Sequence, residues 1–504
     1  MFNEAYATLV TALREQADLE AALHLLEWDQ ETYMPAGTVE SRARQIGTLA
    51  AILHERQTQP RFLALVDELA SGLSQLTPAQ AVDVRETKWR LDRERALDVE
   101  LVRERSTLQA QARTVWITAR RDDDFAALAP FLERIVDTER RVAAAIDASR
   151  PAYDVLLEGF EPGMTTVALE ALFAELRAGL LPLVDRLRSR QAAGPPASDA
   201  LCGHFPAQAQ RRFNQSVARD LGFDFESGRI DEAVHPSTIS IGPDVRLTTR
   251  YDESDLRYAL FSTIHETGHG LYEQGLDHTA CGTPRGQSCS LGVHESQSRL
   301  WENQVGRSAA FWRYLLPRAG EHFPYLRQRP LAAVLLAVNE ARPSLIRTEA
   351  DEVTYNLHII LRFELERALI DGRLAVRDLP AAWAEAMQAS LGVSPPSDRD
   401  GVLQDVHWAC GAIGYFPTYT LGNVYAAQLL EAAEADLGAL DLLLGSGEFG
   451  TLLHWLRNHV HRLGQTHRAP QLIEHATGRP PSPAPLLQHL GRKVALLEAA
   501  GDAG

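Results

Sequence analysis

Apolar residues recur at helical spacing along most of this chain, and period-two alternation is confined to one stretch. Residues 4–25 read as a helix, which LLEWDQETYMPAG (25–37) ends at Pro35 and Gly37. Helical spacing resumes from Ser41 to about Leu69. From Thr77 to Arg121 it predicts one long charged helical stretch, with Leu101, Leu108, Ala112 and Val115 on one face and RETKWRLDRER supplying the other. Such a charge run reads as a solvated face, or alternatively as a wall over a peptide groove. Asp122, Asp123 and Asp124 form a turn and cap signal before a helix carrying Leu128, Leu132, Ile135 and Val136. Gly163 precedes a helix near Leu169 to Arg190, and AAGPPAS (192–198) is the most linker-like segment. The strand signal is Ser237 to Tyr251, two β-rich arms flanking the turn Gly242-Pro243-Asp244. An exposed edge there could bind an extended peptide through its main chain, or the hairpin could be purely structural. From about Pro343 to Ile370 the spacing predicts a two-faced helix. Ile346, Ala350, Val353, Leu357 and Leu361 form its apolar stripe, and Arg347, Asp351, Thr354 and His358 form a polar one. GVSPPSDRD (392–400) reads as a loop, AIGYFPTYTLGN (412–423) as a turn-rich aromatic loop, and Leu452 to Leu463 as helix again. With no internal repeat and helical patterns dominant, one large, mainly α domain is favoured over an alternating α/β fold.

Composition narrows the function classes. The 504 residues carry 50 Lys and Arg against 67 Asp and Glu, a net charge of −17. That argues against nucleic acid or an anionic membrane as main partner. The four cysteines (Cys202, Cys281, Cys289, Cys410) are too few for a disulfide framework and read as reduced thiols of a cytoplasmic protein. The first residues lack an apolar signal core, and no run is long enough to span a bilayer.

Chemistry concentrates in FSTIHETGHGLY (261–272), which contains His265-Glu266-Thr267-Gly268-His269. Imidazoles four positions apart on a helix converge on one point, half of a zinc site, and Glu266 beside them could accept a proton from water. Thr267 and Gly268 are poor helix formers, so propensity does not explain the stretch. LGVHESQSRLWENQV (291–305) supplies Glu295 as the natural third ligand, on a helix that opens after a loop rich in Gly, Ser and Thr. The plain alternative for Glu295 is a carboxylate favoured by a helix N-terminus. Glu302 lies two turns further along the same face, with Ser298 and Arg299 between.

Five ordered motifs then resemble the thermostable carboxypeptidase family typified by the Taq enzyme: DVRLT (244–248), HETGH (265–269), HES (294–296), IRTEAD (346–351) and GVLQDVHW (401–408). HPS (235–237) and GYFPTYTLGN (414–423) are similar to family segments too, although a bulky apolar residue is expected where Ser237 stands. The likeness runs from about Trp28 to Trp455. It implies a mainly α, zincin-type domain spanning 1–504, with a deep central groove and a small sheet or hairpin beside the zinc helix. Residues 1–121 would form a helical wall or lid and 200–430 the catalytic core. It also implies a homodimer with one Zn2+ per chain, Co2+ being possible, that removes single residues from peptides with a free C-terminus at broad specificity.

His265, His269 and Glu295 would hold the metal and Glu266 would serve as general base. The donor to the oxyanion is open among Tyr419, Tyr415, His407 and His235. Arginine suits recognition of the terminal carboxylate, and the candidates are Arg347, then Arg246, with Tyr415 and Asp405 also assigned to substrate binding. The plain alternative for the arginines is a buried pair with Asp351 or Asp244. Two other functions are consistent with the zinc motif: an oligoendopeptidase or dipeptide-releasing peptidase, and a non-catalytic peptide-binding protein with structural zinc. IRTEAD and GVLQDVHW weigh against the first, and the retained Glu266 against the second.

Overall fold

The helical repeat becomes twenty α-helices, joined by short 3-10 turns, around one three-stranded sheet among the residues that the computed structural model describes, 2–193 and 199–501. Residues 194–198 of the linker-like stretch lie outside them. Helix α1 (Phe2–Thr32) runs past Trp28 and gives way at Pro35. The expected helix over 41–69 is two, α2 (Val39–Thr58) and α3 (Pro60–Ser71), because Pro60 starts a new helix after an extended Gln59. The long stretch from Thr77 to Arg121 is likewise divided into α4 (Pro78–Arg95) and α5 (Val99–Asp122). Asp98 breaks it: its backbone is extended and its carboxylate caps α5 by accepting the Leu101 N–H at 2.8 Å. The three aspartates act as expected, with Asp123 in the left-handed region and Asp124 capping α6 (Phe125–Asp147).

One large apolar core runs from Leu101 to Leu497. A second, separate one joins Leu9, Phe62, Val66, Leu69, Val84 and Leu91 within α1, α3 and α4. The N-terminal helices therefore pack on their own apolar nucleus. They meet the rest through polar contacts such as Arg14 to the Thr279 carbonyl (3.2 Å), Tyr33 to Asp231 (2.6 Å) and Arg285 to Asp83 (3.0 Å).

The expected hairpin is β2 (Ser237–Ile241) and β3 (Asp244–Thr249), turning at Gly242 with φ +63°. A third strand, β1 (Gly228–Glu232), pairs parallel to β3 and gives the order β1-β3-β2. No hairpin turn announces a parallel neighbour, so nothing in the alternation pattern revealed it. Ser237 faces Thr248 across the hairpin, their hydroxyls 2.9 Å apart, a polar pair where an apolar side chain was expected.

The helix expected from Pro343 begins only at Tyr355 (Tyr355–Ile370). Upstream lies a 3-10 turn, Arg347–Glu349, between extended residues. Asp351 accepts from the N–H groups of Arg342, Val353 and Thr354 and from the Thr354 hydroxyl, and this local bonding competes with helix. His358 and Arg362 are buried with the apolar residues, so the expected polar stripe is not solvated there; the solvent-facing side is Glu364, Arg367 and Ala368. The aromatic loop also ends early, because Pro417 starts the helix Pro417–Leu437.

Candidate active site

The motif helix, Leu256–Glu273, lies against β3 and the helix Leu291–Arg299. Its poor helix formers have a packing reason. A Cβ at Gly268 would fall 2.6 Å from both the Gln297 carbonyl oxygen and Ser298 Cα, so only glycine admits the second helix this closely. Gly422, on Pro417–Leu437, repeats the device from the other side, its absent Cβ lying 2.5 Å from Glu295 Cγ. Glu295 is thus gripped between two helices. Its Oε2 lies 3.7 Å from His265 Nε2 and 3.4 Å from His269 Nε2, and the three donor atoms lie within 4.8 Å of one another.

A second layer fixes both imidazoles. His265 Nδ1 is 2.9 Å from Glu302 Oε2. His269 Nδ1 is 2.6 Å from His294 Nδ1, and His294 Nε2 is 2.8 Å from Glu273 Oε1. Both Nδ1 atoms are engaged and both Nε2 atoms turn toward Glu295, as metal ligation requires. Glu302 sits on a π-helical turn, Leu300–Val305, a feature often found at functional sites. Arg299 donates to Glu295 Oε1 at 2.6 Å and to Glu302 at 3.3 Å, and Arg307 donates to Glu302 at 3.0 Å.

The electrostatics follow from these neighbours. Burial works against the Glu295 carboxylate, but Arg299 and the two imidazoles outweigh it and hold the group well below its usual range. Burial and His294 push His269 down to about 3, so this ring is neutral. For His265 burial also acts downward, yet Glu295 and Glu302 more than offset it and the ring titrates above its ordinary value. Two imidazoles with free Nε2 atoms and one ionised carboxylate fit a catalytic divalent ion in number and kind. Glu266 is buried beside them, accepts from Thr238 Oγ1 at 2.7 Å, and is pushed up chiefly by desolvation.

A cavity of about 550 Å³ opens on this centre, lined by His265, Glu266, Glu295, Arg347, Tyr355 and Tyr419 among others. Arg347 is 6 % exposed and pairs with Asp405 (2.7 Å), not with Asp351. Its Nη1 donates to the Tyr355 hydroxyl at 3.1 Å. His407 stands behind Tyr419, Nε2 to hydroxyl 3.1 Å, and the Tyr415 ring packs on both. Arg246 stays outside the cavity lining, paired with Asp244 at 2.7 Å and lying over the Trp28 ring at 4.1 Å. His235 is exposed and offers its carbonyl to Thr248. Sequence reasoning gave no role to His294, Glu273, Arg299, Tyr355 or Arg362. Of these, Arg299 stands one helical turn from Glu295 and His294 adjoins it, signals that were there to be read.

A helical fold that brings two histidines of a five-residue motif and a distant glutamate together on one cavity, with a buried glutamate beside them, defines a metallopeptidase. Comparison with known proteins narrows this. The sequence profile of carboxypeptidase Taq (M32) metallopeptidases matches residues 8–494. Thermostable carboxypeptidase 1 of Thermus thermophilus is 46 % identical over 98 % of this chain and 99 % of its own length. Carboxypeptidase 1 of Bacillus subtilis is 38 % identical over 96 % and 97 %. The crystal structure of the M32 carboxypeptidase from Deinococcus radiodurans R1 superposes with a TM-score of 0.95 at 43 % identity, covering 98 % of this chain and 100 % of that one. The chain belongs to the carboxypeptidase Taq (M32) family and is a metallocarboxypeptidase.

Proposed function

We propose that this metallocarboxypeptidase uses zinc, held by His265, His269 and Glu295, to release residues one at a time from the free C-terminus of flexible peptides. The observation that carries the reading is the three-donor cluster, of which His265 and Glu295 line the same cavity as Arg347. When bound, zinc supplies a Lewis acid and lowers the pKa of water. Glu266 takes a proton from the attacking water and passes it to the leaving amine, and its desolvated carboxylate suits that exchange. The Tyr419 hydroxyl, backed by His407, donates to the developing oxyanion, with Tyr355 beside it in the same cavity. Arg347, oriented by Asp405, reads the terminal carboxylate. Tyr415 packs behind Tyr419, while Arg246 and His235 lie on the sheet side, outside the cavity lining.

We also propose a cytoplasmic homodimer. The four thiols are free, and no helix among the described residues is long and apolar enough to cross a membrane. The experiment compares one peptide as free acid and as C-terminal amide. The parent enzyme should cleave the acid far faster. Arg347→Met should lose about thirtyfold or more on the acid and much less on the amide, the cost of truncating one partner of a desolvated charge pair. An equal loss on both substrates, with metal content intact, would remove Arg347 from carboxylate recognition.

A further inference from the structure

Behind Arg347, which lines the cavity, one carboxylate serves two guanidinium groups. Asp405 Oδ1 accepts from Arg347 Nε (3.0 Å) and Nη2 (2.7 Å). Asp405 Oδ2 accepts from Arg362 Nε at 2.8 Å and lies 2.6 Å from Arg362 Nη2. Arg362 is 0 % exposed, donates to the His358 carbonyl at 2.7 Å, and lies over the Trp383 ring at 4.5 Å and the Phe416 ring at 5.4 Å.

The charges here do not cancel: two cations face one anion. The other titratable groups facing this cluster restore the balance only in part. His358 and His407 are pushed down by burial, His407 to about 4, and stay neutral. Tyr355 and Tyr419 are phenols. Glu366, one helical turn from Arg362 and feeling its charge, takes its hydrogen bonds from Tyr153, Trp408 and the Gly414 N–H; burial pushes it up to about 7, so it is only partly ionised at neutral pH and offsets the surplus in part. Glu349 lines the cavity but is exposed and ion-paired with neither guanidinium among the described residues.

A buried positive charge without a counter-ion is costly, and an arriving anion relieves the cost. Arg362 does not line the cavity whereas Arg347 does, so the surplus is expressed through Arg347. An Arg347–Asp405 pair alone would be neutral and a weak magnet for a carboxylate. We propose that Arg362 is a positioning residue of the C-terminal carboxylate subsite: by occupying the second oxygen of Asp405 it keeps the charge of Arg347 available to the peptide. This rests on the reading of Arg347 above.

The test uses the metal-loaded enzyme and three variants, Arg362→Met, Arg362→Lys and Arg347→Met. It reads kcat and KM on the free-acid and amidated peptide, and inhibition by an N-acetylated amino acid and by its amide. Arg362→Met should raise KM for the acid and weaken inhibition by the N-acetylated acid about tenfold, the scale of one charge acting over ~10 Å through a dielectric of about 20. The amides should be nearly unaffected. Arg362→Lys keeps the charge and should retain the acid-over-amide preference to within about threefold. Equal weakening toward acid and amide in Arg362→Met overturns the proposal. If Arg362→Met does not fold, loss of preference in Arg362→Lys as large as in Arg347→Met overturns it, and retention supports it. If Arg347→Met itself spares the preference, the reading of Arg347 fails first, and the two failures are told apart.

Discussion

Glu302 shows how much of this site lies beyond its three-donor cluster. It touches no donor atom aimed at the metal, yet it holds His265 Nδ1 at 2.9 Å and is itself held by Arg299 and Arg307. Removing such a partner typically costs about 10–100-fold in metal affinity. Glu302→Ala should therefore bind zinc more weakly by that factor in competition with a chromophoric chelator, and parent-like affinity would contradict the role. Glu266→Gln makes the opposite separation. It should bind metal normally, by elemental analysis, and lose on the order of a hundredfold or more in kcat. The spacing of His265, Glu266 and His269 was legible because helix geometry converts it directly into convergence. The partner of Arg347 was not. Asp405 lies 58 positions away, and the neighbour expected from helical spacing, Asp351, bonds its own turn. Of the two candidate arginines, Arg347 lines the cavity and Arg246 does not.

Among the elements, the helix Leu291–Arg299 owes its position to a buried acid near its start. Glu161 is 0 % exposed and accepts the Gly292 N–H at 2.9 Å and the Tyr425 hydroxyl at 3.0 Å. Burial pushes it from 4.5 up to about 7. A carboxyl raised in the folded state favours folding when protonated, so its contribution is complete below about pH 4.5 and is lost as pH rises through about 7. Glu161→Gln should flatten the stability profile across that window by roughly 2–3 kcal/mol, read from urea melts at several pH values. An unchanged slope would show that Glu161 does not titrate there. Element types were largely readable from periodicity, as were the breaks at Pro35 and at the three aspartates, but other breaks were not. Asp98 caps a helix inside a stretch whose periodicity continues across it, and β1 joins the sheet in parallel without a turn to mark it. The π-helical turn that delivers Glu302 also leaves no trace in apolar spacing.

Taken as a whole, the molecule sets a small N-terminal core against a large one, with polar contacts between them. A second cavity of about 380 Å³ lies between α1 and the loops after the motif helix, reaching Glu273 behind the three-donor cluster. We propose that the N-terminal helices wall a groove that admits flexible chains only. A denatured protein should then be trimmed much faster than its folded form with the same C-terminal sequence, and equal rates would mean an open site. The net charge of −17 belongs at this scale too, since it fits peptide substrates better than nucleic acid or anionic membranes.

The most direct measurement is a mass-spectrometric time course on one unstructured peptide, with and without a chelator. Successive losses of single residues from the C-terminus, abolished by chelation and restored by zinc, are the predicted result. Internal cuts, dipeptide steps, or cleavage that persists in the metal-free protein would contradict it.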